Sequence, residues 1–289
     1  MNLSLLTMHI SLLDIFVIFL GAILAGVIGS IIGLGGGVIV VPLLTLIMKL
    51  PIEYAIGASI IAVIATSTGA AAAYVRDHLT NLRVGMFLEL ATTLGAISGA
   101  FLAGYLAANL LFVVFGTVLL ISIVPVLFRM HEELPHGVQN DRWATALRLS
   151  GSYPDVRLGR EVSYQVTRTP LGLVVMYVAG ALSGLLGIGS GTFKVLAMDT
   201  FMRLPLKVST TTSNFMMGVT AAASAGIYFE RGEVLPLVAV PVALGVLLGA
   251  MGGARVLPRL TNQSMRLIFI VVLALVALQM ILRGLGIGG

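Results

Sequence analysis

Six consecutive hydroxyl and amide residues, Ser209-Thr210-Thr211-Thr212-Ser213-Asn214, open an apolar stretch that reads as a helix. Such side chains donate hydrogen bonds without bringing a full charge, so together they suit an oxyanion held at membrane depth. Two glycine runs offer a second set of donors. Gly33-Leu34-Gly35-Gly36-Gly37 and Gly187-Ile188-Gly189-Ser190-Gly191 each interrupt an apolar segment. Glycine backbone unwinds without steric penalty and lets a ligand come close. Half-helices restarting at Val38 and Thr192 would aim free N–H groups and a positive dipole end at that ligand, which favours an anion. Lys194 adds a cation just after the second run. Asp199 stands five residues further on, a spacing that does not put the two on one helical face.

Ser59 and Thr66 in the first half match Ser213 and Thr220 in the second, and seven residues return to nearly the same side of a helix. The substrate-binding set read from the sequence is therefore Gly35, Gly36, Gly37, Ser59, Thr66, Gly189, Ser190, Gly191, Thr192, Lys194, Thr211, Ser213 and Asn214. Glu89 and Asp199 are the candidates for carrying a coupled proton, because ionisable groups inside a membrane are costly and are kept for function. Each group also has a plainer reading. A lone hydroxyl bonds back to its own helix, small residues let helices pack closely, and Glu89 lies near Arg83 and the interface. The glycine runs are not a dinucleotide fingerprint, since no strand precedes them. With no cysteine, and no Ser–His pairing or His/carboxylate cluster inside the apolar segments, neither thiol chemistry nor a metal site is expected. No cofactor is implied.

The elements that must position these residues come as a duplication. The residues 25–37 return at 179–191, and the 154-residue offset holds without a gap through Leu50-Pro51/Leu204-Pro205, Tyr74/Tyr228, Gly95/Gly249 and Gly99/Gly253. Mean hydropathy is +1.07. Only 10% of residues are charged, against about 25% in soluble domains. Apolar runs long enough to cross a bilayer as helices fall near 12–33, 53–75, 84–106, 110–128, 171–189, 207–229, 234–254 and 266–283. Shorter pieces, 38–48 and 192–202, follow the glycine breaks. The first span lacks a basic leader and a small-residue cleavage site, so it reads as a retained span and not a signal peptide. The expected architecture is an all-α integral membrane protein of two homologous repeats with four or five crossings each. Residues 1–128 and 170–289 are the repeats, and 129–169 is a polar linker with a hairpin turning near Leu158-Gly159. Corresponding loops carry opposite charge bias. Arg76 and Arg83 stand where the second half has Glu230, Arg231 and Glu233, and Arg255, Arg259 and Arg266 stand where the first has no charge. That favours inverted repeats with the linker cytoplasmic. Paired helix breaks in a duplicated apolar unit point to a secondary transporter. The net charge of +5 comes from loop arginines and gives no reason to expect nucleic acid. The ridges Gly95-x-x-x-Gly99 and Gly245-x-x-x-Gly249-x-x-x-Gly253 suit packing within a chain or between chains of a homo-oligomer.

At its glycine motifs the chain resembles the TauE/SafE family of sulfite exporters. The residues that carry the resemblance are Gly26-x-x-Gly29-x-x-x-Gly33-x-Gly35-Gly36-Gly37 with Val41-Pro42, then Gly180-x-x-x-Gly184-x-x-Gly187-x-Gly189-Ser190-Gly191 with Ser209-Thr210-Thr211-Thr212-Ser213-Asn214-Phe215. It covers roughly 12–128 and 170–283. Ser190 replaces the glycine found at Gly36, and Leu196 the proline at Pro42, so the second half-site need not mirror the first. What the resemblance implies is a multi-pass carrier in the cell membrane. Its partners would be the lipid bilayer and a small sulfur-containing anion such as sulfite or sulfoacetate, moved by ion gradients. An uncoupled channel for anions or small neutral solutes is the alternative reading, and an enzyme is not expected.

Overall fold

The computed structural model describes residues 12–128, 137–187, 189 and 191–286; Ser190 and the histidines His9, His131 and His136 lie outside them. The first repeat comprises α1 (Leu12–Ile32), α2 (Gly37–Pro42) continued by a π-helical turn (Leu43–Ile47), α3 (Ile52–Arg76), α4 (Leu82–Ala103) and α5 (Ala108–Phe128). The linker holds α6 (Arg142–Ala146) and strands β1 (Gly151–Asp155) and β2 (Arg160–Tyr164). The second repeat comprises α7 (Thr169–Leu186), α8 (Gly191–Leu196) with its π turn (Ala197–Phe201), α9 (Leu206–Glu230), α10 (Pro236–Val256) and α11 (Asn262–Gly284).

The duplication governs local structure to the residue. Pro51 and Pro205 open α3 and α9 with nearly the same backbone angles. Two residues before each, Lys49 and Arg203 take left-handed backbone at equivalent positions. Gly33 and Gly35 have positive φ, and so do their counterparts Gly187 and Gly189. Among the described residues, six helices are long and apolar enough to cross a membrane. α9 is not among them because its first turns carry the polar run from Lys207 to Asn214, all of it buried.

The long helices pack across the repeats. α1 lies against α10 and α4 against α7, while α3 meets α9 and α5 meets α11. Small residues make the first two contacts: Gly95 and Gly99 rest on the backbone of α7, and Gly249 and Gly253 on that of α1. Large apolar side chains point outward instead, in stripes such as Leu12, Phe16, Leu20 and Leu24 on α1 and Leu237, Val240, Leu244 and Leu248 on α10. Small residues inside and large ones outside is the arrangement lipid favours, since tails are as apolar as leucine and only close packing rewards association.

Two end contacts fix the sense of the central pair. Gly57, near the start of α3, packs on the Glu233 carbonyl just past the end of α9. Thr211, near the start of α9, donates to the Leu79 carbonyl just past the end of α3 at 2.7 Å. α3 and α9 therefore run antiparallel.

β1 and β2 form one antiparallel hairpin with Asp155 opposite Arg160. Its turn occupies 156–159, with Gly159 at positive φ, where the sequence places it, although the first strand begins earlier than 156. The hairpin is tied to the helix ends. Asn81 donates to the Tyr164 hydroxyl at 2.9 Å and to the Leu149 carbonyl at 2.7 Å. Asp155 pairs with Lys207 at 3.1 Å, and Lys207 also donates to the Pro258 carbonyl at 3.4 Å. Burial pushes the Asp155 carboxyl up, but the Lys207 ammonium and the Arg157 and Leu158 amides outweigh it and hold it below the ordinary aspartate value. A depressed folded pKa stabilises docking above the unfolded value, and the effect fades as pH falls through the folded one. Asp155→Ala is expected to undock the hairpin and leave Lys207 buried without its carboxylate. Protease cleavage at 156–159 should rise at least several-fold at neutral pH; a variant cut no faster than wild type would refute the tie.

Candidate functional site

The two glycine breaks meet in the middle of the molecule and exchange hydrogen bonds. Ser59 on α3 donates to the Gly187 carbonyl at 2.5 Å. Its counterpart Ser213 on α9 donates to the Gly33 carbonyl at 3.1 Å and to that of Gly191 at 3.4 Å. A Cβ on Gly37 would press on Ser59, Val63 and the Gly187 carbonyl, and one on Gly191 would collide with the Gly33 carbonyl. Met217 fills the space beside Gly35, Gly189 and Gly191. Broken backbone of this kind survives at membrane depth only where protein covers it, and every one of these residues is buried.

The structure brings most of the sequence-read set together here. Thr66 donates to the Gly35 carbonyl at 3.1 Å. Asn214 spends its amide hydrogens on the carbonyls of Ser30 and Thr210, at 2.9 and 3.1 Å, and its carbonyl oxygen is buried without a partner. Ser67, on the other side of the crossing, donates to the Asn214 backbone carbonyl at 2.6 Å. One member stands apart and two are not described: Thr211 bonds to the loop at Leu79, away from the glycines, and Ser190 and the Thr192 side chain lie outside what is described. The hydroxyls at the crossing are thus engaged with carbonyls, tying one repeat to the other.

Charge enters at two neighbouring places. Lys194, fully buried on α8, donates to Glu89 on α4 at 3.4 Å and to the Thr220 hydroxyl. Thr220 in turn donates to Glu89 at 2.5 Å, and Thr93 adds a contact at 3.2 Å. In the first repeat Val40 stands for Lys194 and Ala243 for Glu89, so the triad exists once per chain. Asp199, on the π turn after α8, pairs with Arg266 on α11 at 3.1 Å. Lys194 and Asp199 therefore each have another partner, as their spacing implies.

The sequence reading missed Arg266 and Lys207 as interior residues, because it counted both as loop charges. Residue type gave no signal: the equivalent of Arg266 is Phe112, which is buried, but Phe16 and Phe101 in apolar helices of the same repeat face outward.

Comparison with known proteins agrees with this architecture. The family described as Sulfite exporter TauE/SafE matches residues 18–280. Two proteins of Bacillus subtilis are similar: Probable membrane transporter protein YunE, 25% identical over 94% of this chain and 98% of its own, and Probable membrane transporter protein YdhB, 27% identical over 84% and 89%. Probable membrane transporter protein ORF9 of a Sinorhizobium species is 26% identical over 82% of this chain and 81% of its own. No solved structure matches. With duplicated helices of membrane length, a buried crossing of two glycine breaks and a family match over nearly its whole length, the chain belongs to the sulfite exporter TauE/SafE family of multi-pass membrane transporters.

Proposed function

We propose that the chain is a secondary carrier for a small sulfur-containing oxyanion, sulfite or an organosulfonate such as sulfoacetate, coupled to an ion gradient. The observation that carries this reading is the reciprocal hydrogen bonding of Ser59 to Gly187 and Ser213 to Gly33. Each repeat grips the broken backbone of the other, so rocking one against the other exchanges these bonds around a fixed centre, as alternating access requires. The antiparallel run of α3 and α9, which are equivalent elements, supports inverted repeats.

Contacts between the hairpin, the loop after α3, the start of α9 and Pro258 gather Arg76, Arg83, Arg203, Arg255 and Arg259 with Arg142, Arg148, Arg157, Arg160 and Arg168 of the linker at one end of the bundle. Arg231, bonded to the Phe101 carbonyl, and Arg283, bonded to the Thr45 carbonyl, belong to the other end. This asymmetry supports a cytoplasmic linker. Glu89, with Lys194 and Thr220 around it, is the group that gains and loses the coupled proton. Asp199 holds the second ionisable position.

The test is flux of sulfite and sulfoacetate into proteoliposomes with and without an imposed pH gradient. Saturable flux that responds to the gradient is expected. An interhelical hydrogen bond in a membrane contributes about 1–2 kcal/mol at most, so Asn214→Ala, which leaves the Ser30 carbonyl with the Tyr74 hydroxyl as its side-chain donor, should lower the rate by roughly tenfold at most. Unsaturable flux blind to the gradient would make the protein a channel. Absence of flux for both anions by the folded protein would remove the substrate class.

A further inference from the structure

A small cavity lies between Ile32, at the end of α1, and α8, α9 and α11 of the second repeat. Arg266, Asp199 and Thr210 supply its polar wall, and Ile32, Met265 and Phe269 its apolar one. The ion pair is closed off from solvent, with Arg266 and Asp199 only 2% and 3% exposed. Thr210 is 1% exposed, and its hydroxyl has no hydrogen-bond partner. A buried hydroxyl without a partner forfeits about 1–3 kcal/mol, so its persistence at the lining of a cavity points to a ligand. At the 154-residue offset these three positions are Phe112, Thr45 and Ile56. Phe112 and Ile56 are buried apolar residues, and Thr45 bonds back to the Val41 carbonyl at 2.9 Å. In the sister repeat the guanidinium comes from elsewhere, since Arg283 of α11 donates to the Thr45 carbonyl and lies 5.1 Å from the Phe112 ring centre, and none of Phe112, Thr45 and Ile56 supplies a carboxylate. A buried pair adds little stability over apolar residues of similar volume.

We propose that Arg266 is the anion-binding residue of this carrier and that Asp199 is a tethered carboxylate that holds its place. This rests on the carrier reading above and names its binding site. A sulfite or sulfonate head presents oxygens to a guanidinium much as a carboxylate does. While Asp199 occupies Arg266 the cavity measures about 10 Å³, room for about one water and no more. An entering oxyanion takes the guanidinium from Asp199 and receives the Thr210 hydroxyl as a further donor. A short carbon tail would lie against Met265 and Phe269. Ile32 ends α1 directly before the first glycine break, and a Cβ on Gly33 would stand 3.1 Å from Thr210 and Val195. The cavity wall and the hinge are thus the same few residues, which links occupancy to movement of the repeats.

The experiment is a thermal-unfolding titration of the detergent-purified protein with sodium sulfite, with sodium chloride as the ionic-strength control, beside sulfite flux in proteoliposomes. Wild type should be stabilised by sulfite and not by chloride. Asp199→Asn, which removes the tethered competitor and keeps its shape, should bind sulfite at least tenfold more tightly. The double variant Asp199→Asn/Arg266→Gln keeps a neutral hydrogen-bonding pair, so it should fold and yet show no sulfite shift. Sulfite stabilisation of that double variant equal to wild type would overturn the site, as would unchanged or weaker binding by Asp199→Asn. The two readings fail separately. Flux retained in the double variant sinks the site and leaves the carrier, whereas an Arg266-dependent sulfite shift without flux in wild type supports the site and sinks the carrier.

Discussion

Lys194→Met is expected to lower folding stability by about 3–5 kcal/mol, the range for breaking a buried ion pair from one side. The loss comes from Glu89, which keeps its place in the interior while its ammonium partner is gone. Thr220 and Thr93 still face the carboxylate, at 2.5 and 3.2 Å, but hydroxyls cannot neutralise it. Adding Glu89→Gln removes the stranded charge and leaves an amide that Thr220 and Thr93 can both engage. The double variant Lys194→Met/Glu89→Gln should therefore recover most of the lost stability. It should not recover gradient response, because no group remains there to take up and release a proton. Thermal unfolding of the three proteins in detergent, with flux measured at equal and unequal pH, separates the two effects. A single variant as stable as wild type would show that the pair does not bear on folding. A double variant whose flux still follows the pH gradient would remove the triad from coupling.

The Lys194 result also bears on what the sequence could say. Its ionisable character and its place after a glycine break made it a candidate, yet the partner lay on α4, 105 residues away. Residue type reports that a charge is expensive in a membrane; it does not report which helix brings the counter-charge. The repeat, the helices and the two breaks were legible because they are local: glycine content, apolar length and a constant offset fix them. The exchanged bonds at the crossing were half legible. Ser59 and Ser213 stood out as a matched pair, but a serine's acceptor across two repeats is a fact of packing, and the carbonyls of Gly187 and Gly33 carry no sequence mark. The reading of Thr211, Ser213 and Asn214 as one binding set met the same limit. Six consecutive residues surround a helix, so Thr211 turns to the loop at Leu79 while Ser213 turns to the glycines. Arg266 is the same case: its counterpart Phe112 is a residue type that faces inward or outward on these helices, and only the contact with Asp199 places Arg266 inside.

Close packing makes the second large prediction, and it separates Gly253, on the glycine ridge, from Gly252 beside it. Gly253 on α10 faces α1: a Cβ there would overlap the Ser30 hydroxyl and stand 2.5 Å from the Val27 carbonyl oxygen. Gly252 beside it faces open space, with nothing within 4 Å of an added Cβ. In a helix interior alanine is favoured over glycine by about 1 kcal/mol, so Gly252→Ala should leave stability unchanged or raise it by about that amount. Gly253→Ala gains the same propensity but must push backbone away from backbone, which no rotamer change can relieve. Overpacking against side chains already costs about 1–3 kcal/mol, and a carbonyl is less able to yield. A net loss of about 2 kcal/mol or more is expected, with poor recovery of folded protein. Gly99→Ala should behave like Gly253→Ala, since a Cβ there collides with the Ala181 carbonyl at the matching crossing of α4 on α7. The measurement is the midpoint of thermal unfolding for the three variants beside wild type. Equal midpoints for Gly252→Ala and Gly253→Ala would mean that α1 and α10 are not in backbone contact. The cross-repeat packing that brings the two glycine breaks together would then lose its main support.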